Sequence, residues 1–430
     1  MRKIRPLLKI FGYSGRIPLN ALRLRLLPAC LLAAFSGTAA AAGFQLWEQN
    51  ASGIGTAYAG SAAIADNAST IFFNPAGMTQ LSGVRVSLGV SAVGPSFEFN
   101  DRGSSGTGLV AGLSGGDGGD AGGWSAVPNA YLSWQLSPQW FVGIGISAPF
   151  GLATEYDDGW IGRYHSLKAD IRTVNFNPSV AYKVNDKISL GFGVNYQLID
   201  AKMTSLTHVG IPVTSELKGD DSAWGWNAGA LFTLSPSMRV GVSYRSAMRY
   251  TIDGEQSVAT TVFPAKTKVE LPDTFILSVW QQVSDRWEAM GDLSYTDWSD
   301  FDKADIVTKS TGTLLGSEPF NYRDAWRIAW GAAYKANEAW KIKFGIAFDH
   351  TPTSDSHRTA RVPDNDRLWL TLGAQWKPSK ESAVDVGYAY LYLRDPSINQ
   401  TKVLPAGTAT LRGRYDDSGH VLGIQYSHGF

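Results

Sequence analysis

The sequence predicts an all-β protein, a 14-stranded antiparallel transmembrane β-barrel with an N-terminal hatch, or plug, in its lumen. Three observations predict it. Hydrophobicity alternates with period two in segment after segment from residue 84 onward, short turns alternate with long polar connections, and an export-type leader precedes a glycine-rich stretch that fits neither helix nor strand. Composition agrees, because 46 glycines, 15 tryptophans, 17 tyrosines and only 18% charged residues suit a barrel with aromatic girdles better than a helical protein.

Residues 1–42 read as a signal peptide. Arg2, Lys3, Arg5, Lys9, Arg16, Arg23 and Arg25 precede an apolar run from Leu26 and the small-residue site Ala39-Ala40-Ala41-Ala42. Cleavage near Ala41 or Ala42 places Phe44 almost at the mature N-terminus. It also removes Cys30, the only cysteine, and with it any disulfide or thiol chemistry. A lipoprotein-type cut at Leu27-Pro28-Ala29-Cys30 is the alternative, but it leaves most of the apolar core after the cut. Beyond residue 42 the chain carries 31 basic and 38 acidic residues, so no basic surface points to nucleic acid.

Residues 43–83 form the expected hatch, with an apolar head (Phe44, Leu46, Trp47), a small-residue middle and Asn74-Pro75-Ala76 near the end. Asn74 can bond backbone groups while Pro75 restricts it, so the triplet is expected to pin the segment against the wall at a kinked strand.

Residues 84–430 supply the barrel. Ile188, Leu190, Phe192, Val194, Tyr196 and Leu198 alternate with Ser189, Gly191, Gly193, Asn195 and Gln197; Trp340, Ile342, Phe344, Ile346 and Phe348 repeat the pattern. Short turns fall at Ser137-Pro138, Asn185-Asp186, Ser235-Pro236, Ser284-Asp285, Ala336-Asn337 and Pro378-Ser379. Seven long loops are expected near 98–124, 157–166, 205–222, 254–266, 301–320, 353–365 and 395–417. Thirteen alternating connections join fourteen strands and put both termini on the short-turn, periplasmic side of a bacterial outer membrane. No apolar run of helical-span length follows the leader. The final strand ends in Phe430, an aromatic terminus suited to the barrel assembly machinery.

Here the chain resembles the FadL family of outer-membrane transporters for long-chain fatty acids and other hydrophobic compounds. The likeness is carried by Gly43-Phe44-Gln45-Leu46, Gly53 to Thr70, Asn74-Pro75-Ala76, Gly151 to Tyr156, Trp224 to Gly229, Tyr295 to Ser299, Asp324 to Ala329 and Val362 to Arg367. The resemblance implies passive movement of a hydrophobic ligand, either a fatty acid or an uncharged hydrocarbon, with lateral exit into outer-membrane lipid at a kinked strand. It implies that Pro149, Phe150 and Gly151 form that kink and that Phe44 lines the inner pocket. Where the family's best-studied member holds a carboxylate with an arginine and a lysine, this chain has Ser205 and Glu318, so Lys202, His208 or Arg323 is expected to substitute. A monomer without cofactor is implied.

Rival constellations are thin. Gly115 to Asp120 matches one calcium-repeat unit that works only in stacks, and the six histidines show no metal spacing. A barrel hydrolase needs a serine or aspartate beside a histidine. Neither it nor a polar porin gives the plug a purpose.

Overall fold

A computed structural model describes residues 43–430, and the leader and Cys30 lie outside them. Fourteen wall strands run in chain order. They are β1 (Val84–Asp101), β2 (Ser125–Gln135), β3 (Trp140–Ser147, then Gly151–Glu155), β4 (Lys168–Lys183), β5 (Ile188–His208), β6 (Pro212–Ser235) and β7 (Met238–Arg245, then Met248–Val258). The rest are β8 (Thr261–Leu271, then Thr274–Gln282), β9 (Trp287–Thr296, then Lys303–Thr308), β10 (Leu314–Pro319, then Ala325–Lys335), β11 (Trp340–Asp349), β12 (Arg367–Trp376), β13 (Ser382–Leu393, then Ser397–Leu404) and β14 (Gly407–Gly429). Each pairs antiparallel with its sequence neighbour, and β1 pairs with β14 from Arg85↔Gly429 to Asp101↔Gly413, closing the barrel. Closure matters because a strand edge has no water to bond inside lipid.

The alternation resolves into a lipid face and a lumen face. On β5, Leu190, Phe192, Val194 and Leu198 are exposed while Ser189, Asn195 and Gln197 are buried. The pattern then inverts at Leu198-Ile199: Ile199, Ala201 and Met203 face an interior cavity, and the same face that carried Leu198 carries Asp200 and Lys202. That inversion marks the outer edge of the membrane, since above it the exterior meets water. In β7 and β8 the switch is made by odd-length steps. Arg245 and Met248 both point inward three residues apart, as do Leu271 and Thr274, so each break turns the apolar face from lipid to lumen.

All six short turns fall where the sequence predicts them. The long connections need correction. Residues 102–124, 156–167 and 350–366 are true loops, but those expected near 205–222, 254–266, 301–320 and 395–417 are strand extensions closed by tight turns at 209–211, 259–260, 309–313 and 405–406. Above the membrane the outward face is polar, so a strand there has the composition of a loop.

Residues 43–83 lie against the inner wall as 3₁₀ turns and one short helix, Thr70–Phe73. Charged lumen side chains grip their backbone. Arg327 donates to the Ala57 carbonyl at 2.7 Å, Lys343 to Ser52 at 2.9 Å and Arg245 to Phe72 at 2.8 Å, while Asp292 accepts from the Ser61 amide and hydroxyl. Asn74 is buried; its amide donates to Ala62 and to Ala230 of β6, and its side-chain oxygen accepts from Ala76. The triplet therefore meets the wall at β6, and it is Gln45, Leu46 and Gln49 that reach kinked β3. Wall glycines make the close approach possible. A Cβ on Gly241 would lie 2.0 Å from the Ala62 oxygen, and one on Gly345 2.3 Å from the Thr56 carbonyl carbon. Replacing Gly241 with valine is expected to destabilise the seated segment by about 1–3 kcal/mol, the usual range for overpacking, while the barrel still forms. Limited proteolysis of folded protein checks this: new cleavage within residues 43–83 is the expected result, and an unchanged digest is the contrary one.

Candidate ligand cavity and wall opening

An apolar cavity lies above the N-terminal segment. Its lining includes Leu152, Ile171, Ile199, Met203, Ile252 and Leu271 from the inverted strand portions, and Phe44 from the segment itself. Beneath it is an aromatic floor. Phe44 meets Trp298 edge-on at 5.0 Å between ring centroids, Phe301 at 5.5 Å and Phe150 at 6.1 Å. Polar residues interrupt the apolar lining, among them Thr267, Glu318 and Arg361. Glu318 receives Lys402 at 3.0 Å and Arg361 at 3.5 Å, so one buried acid faces two cations. The Arg361 Nε has no hydrogen-bond partner although it is buried.

Phe150 connects this cavity to a defect in the wall. Strands β2 and β3 pair only from Ala130↔Ile146 to Gln135↔Phe141, leaving Ser125–Asn129 without a partner on the β3 side. The break sits at Ala148-Pro149-Phe150, where proline lacks an amide hydrogen. Beyond it Gly151–Glu155 pairs with β4 alone among the wall strands. The N-terminal segment and Thr173 satisfy the freed groups. Leu46 N–H donates to the Pro149 carbonyl and Gly151 N–H to the Phe44 carbonyl; the Gln49 side chain both donates to and accepts from the Ala148 backbone. The Thr173 hydroxyl bonds both backbone groups of Phe150. The unpaired edge is therefore covered from inside by a piece of chain that also forms the cavity floor.

The basic residues singled out from the sequence lie elsewhere. Lys202 points outward with the parity of Leu198 and pairs with Glu216 at 3.0 Å. His208 is buried at the end of β5, away from the cavity lining. Arg323 borders a separate polar pocket on the outer rim. Ser205 is buried and outside the lining, whereas Glu318 is part of it. Sequence reading missed Arg361, Trp298 and Phe301, although Arg361 directly precedes Val362-Pro363-Asp364 and Trp298 belongs to the quoted Tyr295–Ser299 match. Among the described residues no group of histidine, cysteine or acids could hold a metal. His357 meets Ser354 and Ser356, and His350 meets Asp366, but among the described residues no hydrogen-bonded set joins a serine, a histidine and a carboxylate.

A closed barrel with an apolar outer band, filled from within and broken at one strand, defines a bacterial outer-membrane wall protein rather than an open pore. The chain belongs to the outer membrane protein transport protein family (OMPP1/FadL/TodX), whose profile matches residues 32–430. It is 32% identical over 410 residues to the long-chain fatty acid transport protein of Salmonella typhi, covering 86% of this chain and 92% of that one. It is 33% identical over 421 residues to outer membrane protein P1 of Haemophilus influenzae, covering 87% and 91%. Among solved structures, a Pseudomonas aeruginosa FadL homologue superposes with a TM-score of 0.84 at 24% identity, covering 90% of this chain and all of that one. The Pseudomonas putida toluene transporter TodX gives 0.69 at 15%, covering 89% and 98%, a likeness of fold.

Within the N-terminal segment, Glu48 is buried at 1% exposure, between Trp47 and the Gln49 that holds the kink. Arg327, which stacks over Trp47 at 4.6 Å and pairs with Asp349 at 2.6 Å, is one of its charged neighbours; Arg367 and Asp349 are the others. Desolvation outweighs the two guanidiniums and raises the Glu48 carboxyl to about 7. A raised value in the seated state means that seating favours the protonated acid. Its stability contribution is present in acid and is lost as pH rises through about 7. Hydrogen exchange of residues 43–50, corrected for intrinsic rate, is expected in the wild type to accelerate as pH rises from about 4.5 to about 7 and to level off above that, and to stay flat in Glu48→Gln. Parallel pH profiles for the two proteins would remove Glu48 as the cause.

Proposed function

We propose that this protein carries long-chain fatty acids across the outer membrane by passive diffusion, with residues 43–83 as a hatch and the β2–β3 opening as a lateral exit. The observation that carries the reading is the position of Phe44. One side chain lines the apolar cavity and touches Phe150 at the break, so a ligand that displaces Phe44 uncovers the opening at the same time. An apolar molecule then reaches lipid without crossing water. Outer-membrane transport of hydrophobic compounds is the activity of the family, and the relatives at 30–32% identity that are named for a cargo carry long-chain fatty acids. The family's members are transporters and channels, and that argues for this chain acting without chemistry. Phe430, exposed at the end of β14, is the proposed assembly signal, and a monomer suffices because the barrel closes on itself.

Arg361 decides the cargo class. The pair of cations around Glu318 leaves one positive charge over, and the free Arg361 Nε can donate to a carboxylate. The same wall would offer an uncharged hydrocarbon nothing beyond its apolar surface, and that is the second reading. Arg361→Gln is expected to weaken oleate binding by about tenfold to a hundredfold, the scale of a charged hydrogen bond, and to leave alkane binding unchanged. Equal loss for both ligands, or for neither, would favour the hydrocarbon reading. Deleting Gly151 tests the route: it shifts the following register by one residue, and in a folded, surface-exposed barrel it is expected to block uptake while binding persists. Normal uptake by such a variant would sink the lateral exit.

A further inference from the structure

The outer rim on the β10–β14 side holds a second, polar pocket that takes no part in the cavity or the wall opening. Its lining includes Arg323, Arg358, Arg394 and Arg414, with Asp355, Asp366 and Asp395 as its acids. Every one of those acids is engaged. Asp355 receives Arg358 at 2.6 Å, Asp395 receives Arg414 at 2.7 Å, and Asp366 accepts from His350 and the Thr351 amide. Arg323 and Arg394 are exposed, and among the described residues neither guanidinium makes an ion pair or side-chain hydrogen bond. Two free forks thus border one pocket, beside neutral donors on Ser354 and Asn365.

The height of the pocket says what could use it. On β13 the outward face carries Val386, Tyr388 and Tyr392, all exposed, and Arg394 is the next residue on that face. On β10 the exposed Trp326 and Trp330 lie just below Arg323, and Trp326 stacks on His350. Outward aromatics of this kind mark the lipid interface, so the free guanidiniums stand one step above it, at headgroup depth. Arginine forks at that depth match phosphate oxygens in geometry as well as charge.

We infer that Arg323 and Arg394 form a binding site for the phosphate group of an outer-leaflet lipid, distinct from the transport cavity. The lipid's acyl chains would lie along the Tyr388, Tyr392 and Trp326 face while its phosphate bridges the two guanidiniums. Outer-leaflet lipid is the committed source; a soluble phosphate ion shares the headgroup chemistry but would gain nothing from the aromatic face.

The test uses the full-length protein in phosphatidylcholine nanodiscs, titrated with bisphosphorylated lipid A or its dephosphorylated counterpart and read by native mass spectrometry. Lipid A is expected to bind the wild type about tenfold or more tightly than the Arg323→Gln/Arg394→Gln variant, with no difference between the proteins for the dephosphorylated lipid. Single variants, each shown to be folded by heat-modifiable mobility, are expected to fall between. Equal lipid A binding by wild type and double variant overturns the proposal. So does full displacement of lipid A by millimolar inorganic phosphate, which would mean a free-anion site, or by oleate, which would mean a capture site for the cargo.

Discussion

An unpaired strand edge at membrane depth is costly because lipid offers its amides and carbonyls no partner. In this barrel the β2–β3 ladder stops at Ala130↔Ile146, and the arrangement around that point follows from covering the exposed groups. Thr173 bonds Phe150 from β4, and residues 44–49 bond Ala148, Pro149 and Gly151 from inside. Apart from Thr173, these partners belong to the N-terminal segment rather than to the wall. A fully paired β3 would need no such cover.

Holding such a cover requires strength at some distance from the opening. The middle and end of the segment are fastened by Arg245, Arg327, Lys343 and Asp292, charged groups paired or bonded inside the lumen and aimed at backbone atoms. Removing one partner of such a buried set leaves an uncompensated charge, so these residues keep the segment in register. Its start is held by Phe44 packing, by Gly43 N–H donating to the buried Asp364 carboxylate, and by the Gln45 and Gln49 side chains.

The cavity exists because the greasy face of the wall changes sides. Below the membrane edge apolar residues face lipid; above it, through the Leu198-Ile199 inversion and the odd steps in β7 and β8, they face inward. The outer third of the barrel is therefore built like a soluble barrel with an oily core, stacked on a membrane barrel with a polar one. Glu318, Arg361 and Lys402 meet in that core as one acid between two cations.

Much of this was legible in the one-dimensional chain. Period-two alternation and the six turns were enough for a fourteen-stranded barrel, because alternation is local and a turn declares itself in two residues. Pro149 and Gly151 announced a break in the same way. What the sequence could not decide was which polar residues see the cavity. Lys202 sits two residues from Asp200 and one from Met203, and only the strand's facing sends Met203 in and Lys202 out. Arg361 reaches the cavity from a loop, Glu318 and Lys402 arrive from strands far apart in the chain, and the four misread loops were strands whose outer face had become polar. Local pattern specifies strands and turns; the side a residue faces, and whom it meets across a closed barrel, is set only when the ladder closes.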